Sequence, residues 1–450
     1  MFRARYLKGI KSFLCVLFIY GGSVLPQVTA DYPLPGKLRT DSPVYISALE
    51  NWRKLTVKSA YKNDITANIL AAKCIFTLLN NRQGPAGGLK HEGVFPSYTG
   101  FPGFWAWDSW KHAYALAGIA PELAENNIRA MFDYQDSTGM VADCIFVNSS
   151  ENNYRDTKPP LSAWAVDEIF RQTSDSCFVQ EMFPKLMKYH RWWYANRDHD
   201  HNGLCEYGSV DGTLQAARWE SGWDNAVRFD HARMLQNGPH AWSMDQESAD
   251  LNAFLFVEKK CLVHLAEVAG ETTLAETLDD EAIKLGNMIR TMMWDEHSGF
   301  FYDISLETKK PILIAEPNGW IPLWAGIAGK EQARRIRNRI LNKDEFNTFV
   351  PFPTVAANNP SFNPAKGYWR GPVWIDQAYF ALKGLCRYGY KDDALMLMNK
   401  LFNHCEGLLD PSRPLRENYH PLTGKGLNAE NFSWTAAHLL MMVREIEMQK

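Results

Sequence analysis

Apolar residues recur along most of the chain at intervals of three and four. Ile65, Ile69, Ala72, Ile75, Phe76 and Leu79 share one helical face over 65–79. Leu251, Phe254, Leu255, Leu262 and Leu265 do so over 251–266, and Trp374, Ala378, Leu382 and Leu385 over 374–385. Phe432, Ala436, Leu439, Val443 and Ile446 repeat the pattern over 432–446. Weaker patterns of the same period cover 108–118, 122–134, 161–172, 178–195, 274–293, 320–328, 330–341 and 391–405. Segments alternating with the period of a strand are few. Connections rich in Gly, Pro and Asn, of varied length, separate the helices. About twelve helices predict an all-α fold, a closed α/α barrel of helical hairpins. An open helical solenoid is the alternative, but no repeat of fixed period is visible.

Residues 1–30 follow a different pattern. Arg3, Arg5, Lys8 and Lys11 precede an apolar run from Phe13 to Leu25, and Val28-Thr29-Ala30 gives a small-x-small cleavage pattern. Gly21-Gly22 interrupts the run, which is too short for a confident membrane span. The expectation is a cleaved secretory signal and a mature chain of 31–450, secreted or periplasmic and without stable membrane insertion. A retained anchor is the alternative. Seven cysteines follow the signal, widely scattered and without metal-ligand spacing, and most are expected to be buried small hydrophobes.

With 450 residues, 46% hydrophobic and 22% charged, the chain can bury a large core. A formal net charge of −3 argues against nucleic acid as a partner. The 16 Trp, 18 Tyr and 24 Phe suit either a cleft that stacks sugar rings or a large aromatic core.

The loops between the helices carry the candidate chemistry. Phe104-Trp105-Ala106-Trp107-Asp108-Ser109-Trp110 opens a helix. Asp108 is either an N-cap or a carboxylate gripping sugar hydroxyls beside Trp105 and Trp107. In Trp219-Glu220-Ser221-Gly222-Trp223-Asp224-Asn225, a carboxyl set against indole loses solvation. Asp224 would then stay protonated near neutral pH, as a general acid requires. Arg416-Glu417-Asn418-Tyr419 offers Glu417 as its counterpart, because glycoside hydrolysis takes two carboxylates on opposite faces of the sugar. Tyr368-Trp369-Arg370-Gly371-Pro372 could bind sugar by stacking and hydrogen bonds, or simply pack at the barrel mouth. Asp198-His199-Asp200-His201-Asn202-Gly203 resembles the start of a calcium loop without a glutamate at its twelfth position, and an Asx-rich turn is the alternative. P-loop, Rossmann, HExxH and GxSxG patterns are absent.

Together these elements resemble the clan of inverting α-glycosidases that contains trehalases and glycoside hydrolase family 63. The matching elements are Phe104 to Ser109, Lys158-Pro159-Pro160, Glu220 to Asp224, Tyr368 to Pro372 and Glu417 to Tyr419, in family order. The resemblance implies a single (α/α)6 catalytic domain, with Asp224 as general acid and Glu417 as general base. It implies a sugar subsite containing Asp108 and Arg370, and no cofactor for the chemistry. It also implies a structural calcium held by Asp198, Asp200, Asn202 and Glu247. The expected reaction is inverting hydrolysis of a terminal α-linked sugar, foremost an α-glucoside, with Trp107, Trp223 and Trp369 walling the pocket. Trehalase and mannosylglycerate hydrolase activities are the nearest alternatives, and for the latter Arg155, Lys366 or Arg370 could meet the glycerate carboxylate. A catalytically silent sugar-binding protein on the same barrel is the alternative of another class.

Overall fold

The computed structural model describes residues 35–56 and 65–446, so the expected signal at 1–30 lies outside the described residues. Fourteen α-helices occur among them. The first six are α1 (Pro43–Thr56), α2 (Ile65–Asn80), α3 (Ala106–Leu116), α4 (Pro121–Phe132), α5 (Ser162–Thr173) and α6 (Ser176–Asn196). Then come α7 (Leu214–Ser221), α8 (Ala249–Ala269), α9 (Thr272–Met292) and α10 (Ile321–Ala325). The last four are α11 (Lys330–Leu341), α12 (Ile375–Arg387), α13 (Lys391–His404) and α14 (Ser433–Glu445).

Packing sorts twelve of these into two rings. Helices α3, α5, α8, α10, α12 and α14 each touch the next, and α14 closes back onto α3. The remaining six, α2, α4, α6, α9, α11 and α13, alternate with them along the chain and form the outer layer. The inner helices have almost no exposed face; all eleven residues of α3 are buried, Lys111 and His112 included. The outer helices bury a single stripe, as α9 does with Ala275, Leu278, Ala282, Leu285 and Ile289. This is the closed α/α barrel anticipated from the helical periodicity, in the (α/α)6 form that the resemblance implies, with one apolar core shared by both rings.

Two helices were not anticipated, α1 and the eight-residue α7. The expected helix at 320–328 is a 3₁₀ turn, Pro317–Trp320, followed by the five-residue α10. Gly326 in the left-handed conformation (φ +83°) ends it there. Strands are two to five residues long and pair into small ladders between helices. Cys74, Cys144, Cys177, Cys205, Cys261, Cys386 and Cys405 are free thiols. No helix among the described residues is long and apolar enough to cross a membrane.

Because outer and inner helices alternate in direction, every outer-to-inner loop emerges at the same end of the barrel. The motif segments lie in these loops or run from them into the next helix: 101–108 into α3, 155–160 before α5, 198–225 before α8, 367–374 before α12 and 416–419 before α14. The fold therefore gathers them around the N-terminal ends of the inner helices.

Candidate active site

Asp224 follows α7, whose end is tightly fixed. Glu220 is fully buried and accepts two hydrogen bonds from the Arg197 guanidinium, each 2.7 Å, and one from the Gly208 amide at 2.6 Å. Removing one partner of such a buried pair costs about 3–5 kcal/mol. Gly222 then turns the chain at φ +76°, and a Cβ there would lie 2.2 Å from Cζ2 of Trp107. Only glycine lets the Asp224 loop lie against that indole. Asn225 fastens the other side. Its amide donates to the Gly367 carbonyl at 2.9 Å, its side-chain oxygen accepts from the Trp369 amide at 3.0 Å, and its carbonyl accepts from Arg370 Nε at 2.7 Å.

Glu417 sits on the strand Arg416–Tyr419, paired with Gly426–Glu430. The register shifts between Arg416 and Asn418, and such a bulge re-aims the side chain between them. Two donors meet its carboxylate, the Tyr368 hydroxyl at 2.7 Å and the Ala429 amide at 3.0 Å. Tyr368 has a left-handed backbone (φ +59°), a conformation that costs a non-glycine residue about 1–3 kcal/mol. Trp374 Nε1 donates to its carbonyl at 2.9 Å, and Val373 exchanges backbone hydrogen bonds with Tyr419. The Tyr368 loop and the Glu417 strand thus form one body.

Burial raises the pKa of the Tyr368 phenol most, and the charges of Glu417, Asp224 and Asp108 add to it. Asp224 is pushed up to about 7, chiefly by burial, with Asp143 and Glu417 adding and Lys158 opposing. Glu417 is also raised by burial, while Ala429 and Tyr368 favour its charged form. Asp108 is pushed up to about 7 by burial, against the nearby charges of Lys111 and Lys158. It lies in the first turn of α3, but Trp105 occupies the cap position and no side-chain cap bond forms there. The N-cap alternative for Asp108 does not hold.

The tryptophans correct one expectation. Trp369 lies between Trp223 (centroids 5.1 Å apart, planes at 29°) and Trp374 (4.2 Å, 5°), and Trp223 and Trp369 are 0% and 1% exposed. Their ring faces are used on each other, as a buried column beneath the loops rather than open walls. Trp107 is buried too; the Lys111 ammonium lies 3.3 Å from its ring centroid and 3.9 Å from that of Trp434. Lys111 is fully buried and paired with Asp376 at 2.9 Å. Trp105 alone of the four stays partly exposed, edge-on to Phe101 and Phe146.

Arg370 pairs with Asp230, and Arg218 approaches the same carboxylate oxygen at 3.7 Å. Two guanidiniums thus share one carboxylate beside the Asp224 loop. Arg155 pairs with Asp211 at 2.6 Å and lies 5.2 Å over the Trp219 ring. Lys366 is exposed.

In the 198–206 loop, the carboxylates of Asp198 and Asp200 come together with that of Glu206, all within 4.8 Å of one another. Glu206 was absent from the expected ligand set. Asn202 was in it, but its side-chain oxygen accepts from the Leu204 amide at 2.8 Å and its NH2 donates to Glu247 at 2.6 Å. Lys309 donates to Asp200 at 2.8 Å and to Glu247 at 3.4 Å. Glu206 Oε1 and Glu247 Oε2 are buried without a hydrogen-bond partner. Burial pushes Glu206 well above the usual carboxylate range, with Asp198 and Glu247 adding. This donor set suits a hard, oxygen-seeking cation.

An (α/α)6 barrel whose mouth collects buried carboxyls in unlike environments defines the class of protein as a barrel glycoside hydrolase. A sequence profile described as "Mannosylglycerate hydrolase MGH1-like glycoside hydrolase domain" matches residues 101–435, and the chain belongs to that family, within the family 63 and trehalase-like clan. It is 26% identical over 423 residues to a mannosylglycerate hydrolase of Thermus thermophilus, covering 78% of this chain and 96% of that one. It is 22% identical over 423 residues to a glucosylglycerate hydrolase of Mycolicibacterium hassiacum, covering 76% and 91%. A crystal structure of a Thermus thermophilus family 63 mannosylglycerate hydrolase in complex with glucose superposes with a TM-score of 0.69. That match is 24% identical and covers 83% of this chain and 100% of that one. The protein is a glycosidase.

Several residues of the site carried no signal in the sequence. Lys111, Asp143 and Asp376 look like ordinary helix and loop charges until the barrel buries them, and Lys158 stood in a matched motif with no role attached to it.

Proposed function

We propose that the protein hydrolyses, with inversion, a short α-glycoside whose leaving group carries a carboxylate, of the mannosylglycerate or glucosylglycerate type. Asp224 protonates the glycosidic oxygen and Glu417 takes the proton of the attacking water. The observation that carries this division is the contrast between the two carboxyls. Asp224 accepts no side-chain hydrogen bond from another described residue and is raised to about 7, so it holds its proton near neutrality. Glu417 is met by two donors that favour the ionised form a base needs. Asp108 grips sugar hydroxyls, and Trp105 offers the remaining ring surface. The paired guanidiniums of Arg218 and Arg370, with only Asp230 between them, support an anionic leaving group on that side. The α-glucosidase reading favoured by the sequence becomes a statement about the sugar alone, glucose being one of two candidates.

The test compares mannosylglycerate and glucosylglycerate with the same sugars on neutral glycerol. A carboxylate met by a guanidinium contributes about 1.5–3 kcal/mol, so the acidic aglycone should gain roughly tenfold or more in kcat/KM. Equal rates on both aglycones would refute the anionic assignment.

We further propose that Asp198, Asp200, Glu206 and Glu247 hold a structural divalent cation of the calcium type, which would satisfy the buried carboxylate oxygens. The basic, apolar and small-residue pattern of 1–30 supports export to the periplasm or medium, which N-terminal sequencing of the exported protein would check.

A further inference from the structure

Lys158 belongs to none of the reacting groups, yet it is buried, as Glu417 and Asp108 are. The side chain is 5% exposed. Nζ lies 2.8 Å from Asp143 Oδ1 and 3.7 Å from Asp156 Oδ2, and it donates to the Trp219 carbonyl. Two of these contacts lead to different parts of the site. Trp219 is in the last turn of α7, whose end passes through Gly222 to Asp224. Asp143 accepts the Ala106 amide at 2.9 Å through its carbonyl and precedes Cys144, the ladder partner of Trp105. It therefore abuts the segment that launches α3 and Asp108. A buried ammonium is costly unless it is paired, and here a carboxylate from one segment and a carbonyl from the other meet it.

Resting on the assignment of Asp224 as the acid, we infer that Lys158, paired with Asp143, is a positioning residue that ties the Asp224 segment to the Asp108 segment and sets one fixed positive charge beside both carboxyls. Electrostatics agree with the geometry. The charged groups facing Asp224 are Lys158, Asp143 and Glu417, and the first opposes the other two. Asp108 senses Lys158 and Asp143 with the same signs. Asp156 faces Lys158 and Asp143 and is itself pushed well up, chiefly by burial. The Lys158–Asp143 pair therefore acts as a setting on how readily Asp224 gives up its proton. Lys158 pulls the proton off and Asp143 holds it on.

The test titrates the Asp224 carboxyl by NMR in protein labelled with 13C at aspartate carboxyls, the resonance being assigned by its loss in Asp224→Asn. This readout needs no substrate. Lys158→Met should move the Asp224 midpoint upward by about one pH unit or more, the usual effect of losing an opposite charge at close range. Lys158→Arg should leave it near the wild-type position. Asp143→Asn should move it downward, because a like charge is lost. Opposite signs in the Lys158→Met and Asp143→Asn variants are a signature that a merely structural role would not produce. Shifts of the same sign, or none, would overturn the inference. Should Lys158→Met fail to fold, the Asp143→Asn and Lys158→Arg titrations still decide. The acid assignment fails separately: full turnover of mannosylglycerate by Asp224→Asn would remove it while leaving the titration result standing.

Discussion

Asp224 and Glu417 are carboxyls of the same kind in opposite surroundings. The Asp224 side is a loop braced from behind, by the Arg197–Glu220 pair, the Gly222 turn on Trp107 and the Lys158 ammonium. None of these braces donates a hydrogen bond to the Asp224 carboxyl itself. The Glu417 side is a bulged hairpin whose braces end on the carboxylate, through the Tyr368 hydroxyl and the Ala429 amide. One site spends its hydrogen bonds on the backbone and leaves its carboxyl proton to be given away. The other spends them on the carboxylate, where they favour its charged form against the upward push of burial. On the proposed roles, environment rather than residue chemistry would separate acid from base.

The comparison can be broken most severely at the carboxyls. Asp224→Asn and Glu417→Gln should each lower turnover of mannosylglycerate by about 10²–10⁴-fold, with the far-ultraviolet circular dichroism spectrum unchanged. An α-glycosyl fluoride, whose leaving group needs no proton, should recover much of the loss in Asp224→Asn and little in Glu417→Gln. Equal recovery in both would erase the distinction between the two sides.

Gly222→Ala attacks the bracing alone. Its Cβ would meet Trp107 at 2.2 Å on a backbone at φ +76°. A loss of about 1–3 kcal/mol in urea unfolding is expected, with a fall in kcat/KM of more than about tenfold as Asp224 is displaced.

Tyr368→Phe sharpens the contrast from the base side. It removes one donor that favours ionised Glu417, so the Glu417 pKa rises. A base must be ionised, so activity would begin to fail at higher pH on the acidic limb of kcat/KM. The alkaline limb reports Asp224 losing its proton near pH 7 and should move far less. A shift confined to the alkaline limb would reverse the two roles.

The smallest effect belongs to the 198–206 loop, remote in role from the cleft. Calcium should raise Tm by a few degrees over protein treated with chelator, with turnover per folded molecule unchanged. An unchanged Tm would leave Lys309 as the cation that serves Asp200 and Glu247.

Much of the barrel was legible because its helices are long and their apolar spacing regular. Helix α7 was not, since eight residues spanning Trp219 and Glu220 offer too few turns to establish a period. At the site, Asp224 and Glu417 stood out because each lies in a short aromatic or turn-rich motif. The aromatic motifs misled in one respect: Trp223 and Trp369 signalled the cleft correctly but are spent on stacking against each other. Lys111 and Asp376 are 265 residues apart, and only barrel closure brings them together beneath Trp107 and Trp434. Glu206 was legible by position, four residues beyond Asn202, but it took the fold to bring it within reach of Asp198 and Asp200.

The central claim is that a water activated by Glu417 attacks the face opposite the bond that Asp224 protonates. Proton NMR of the anomeric signals tests it most directly, with purified protein and mannosylglycerate or glucosylglycerate, followed from the first minutes of the reaction. The account predicts that the β-anomer of the free sugar appears first and the α-anomer follows only by mutarotation. Initial release of the α-anomer would mean a covalent, retaining route and would contradict Glu417 as a base.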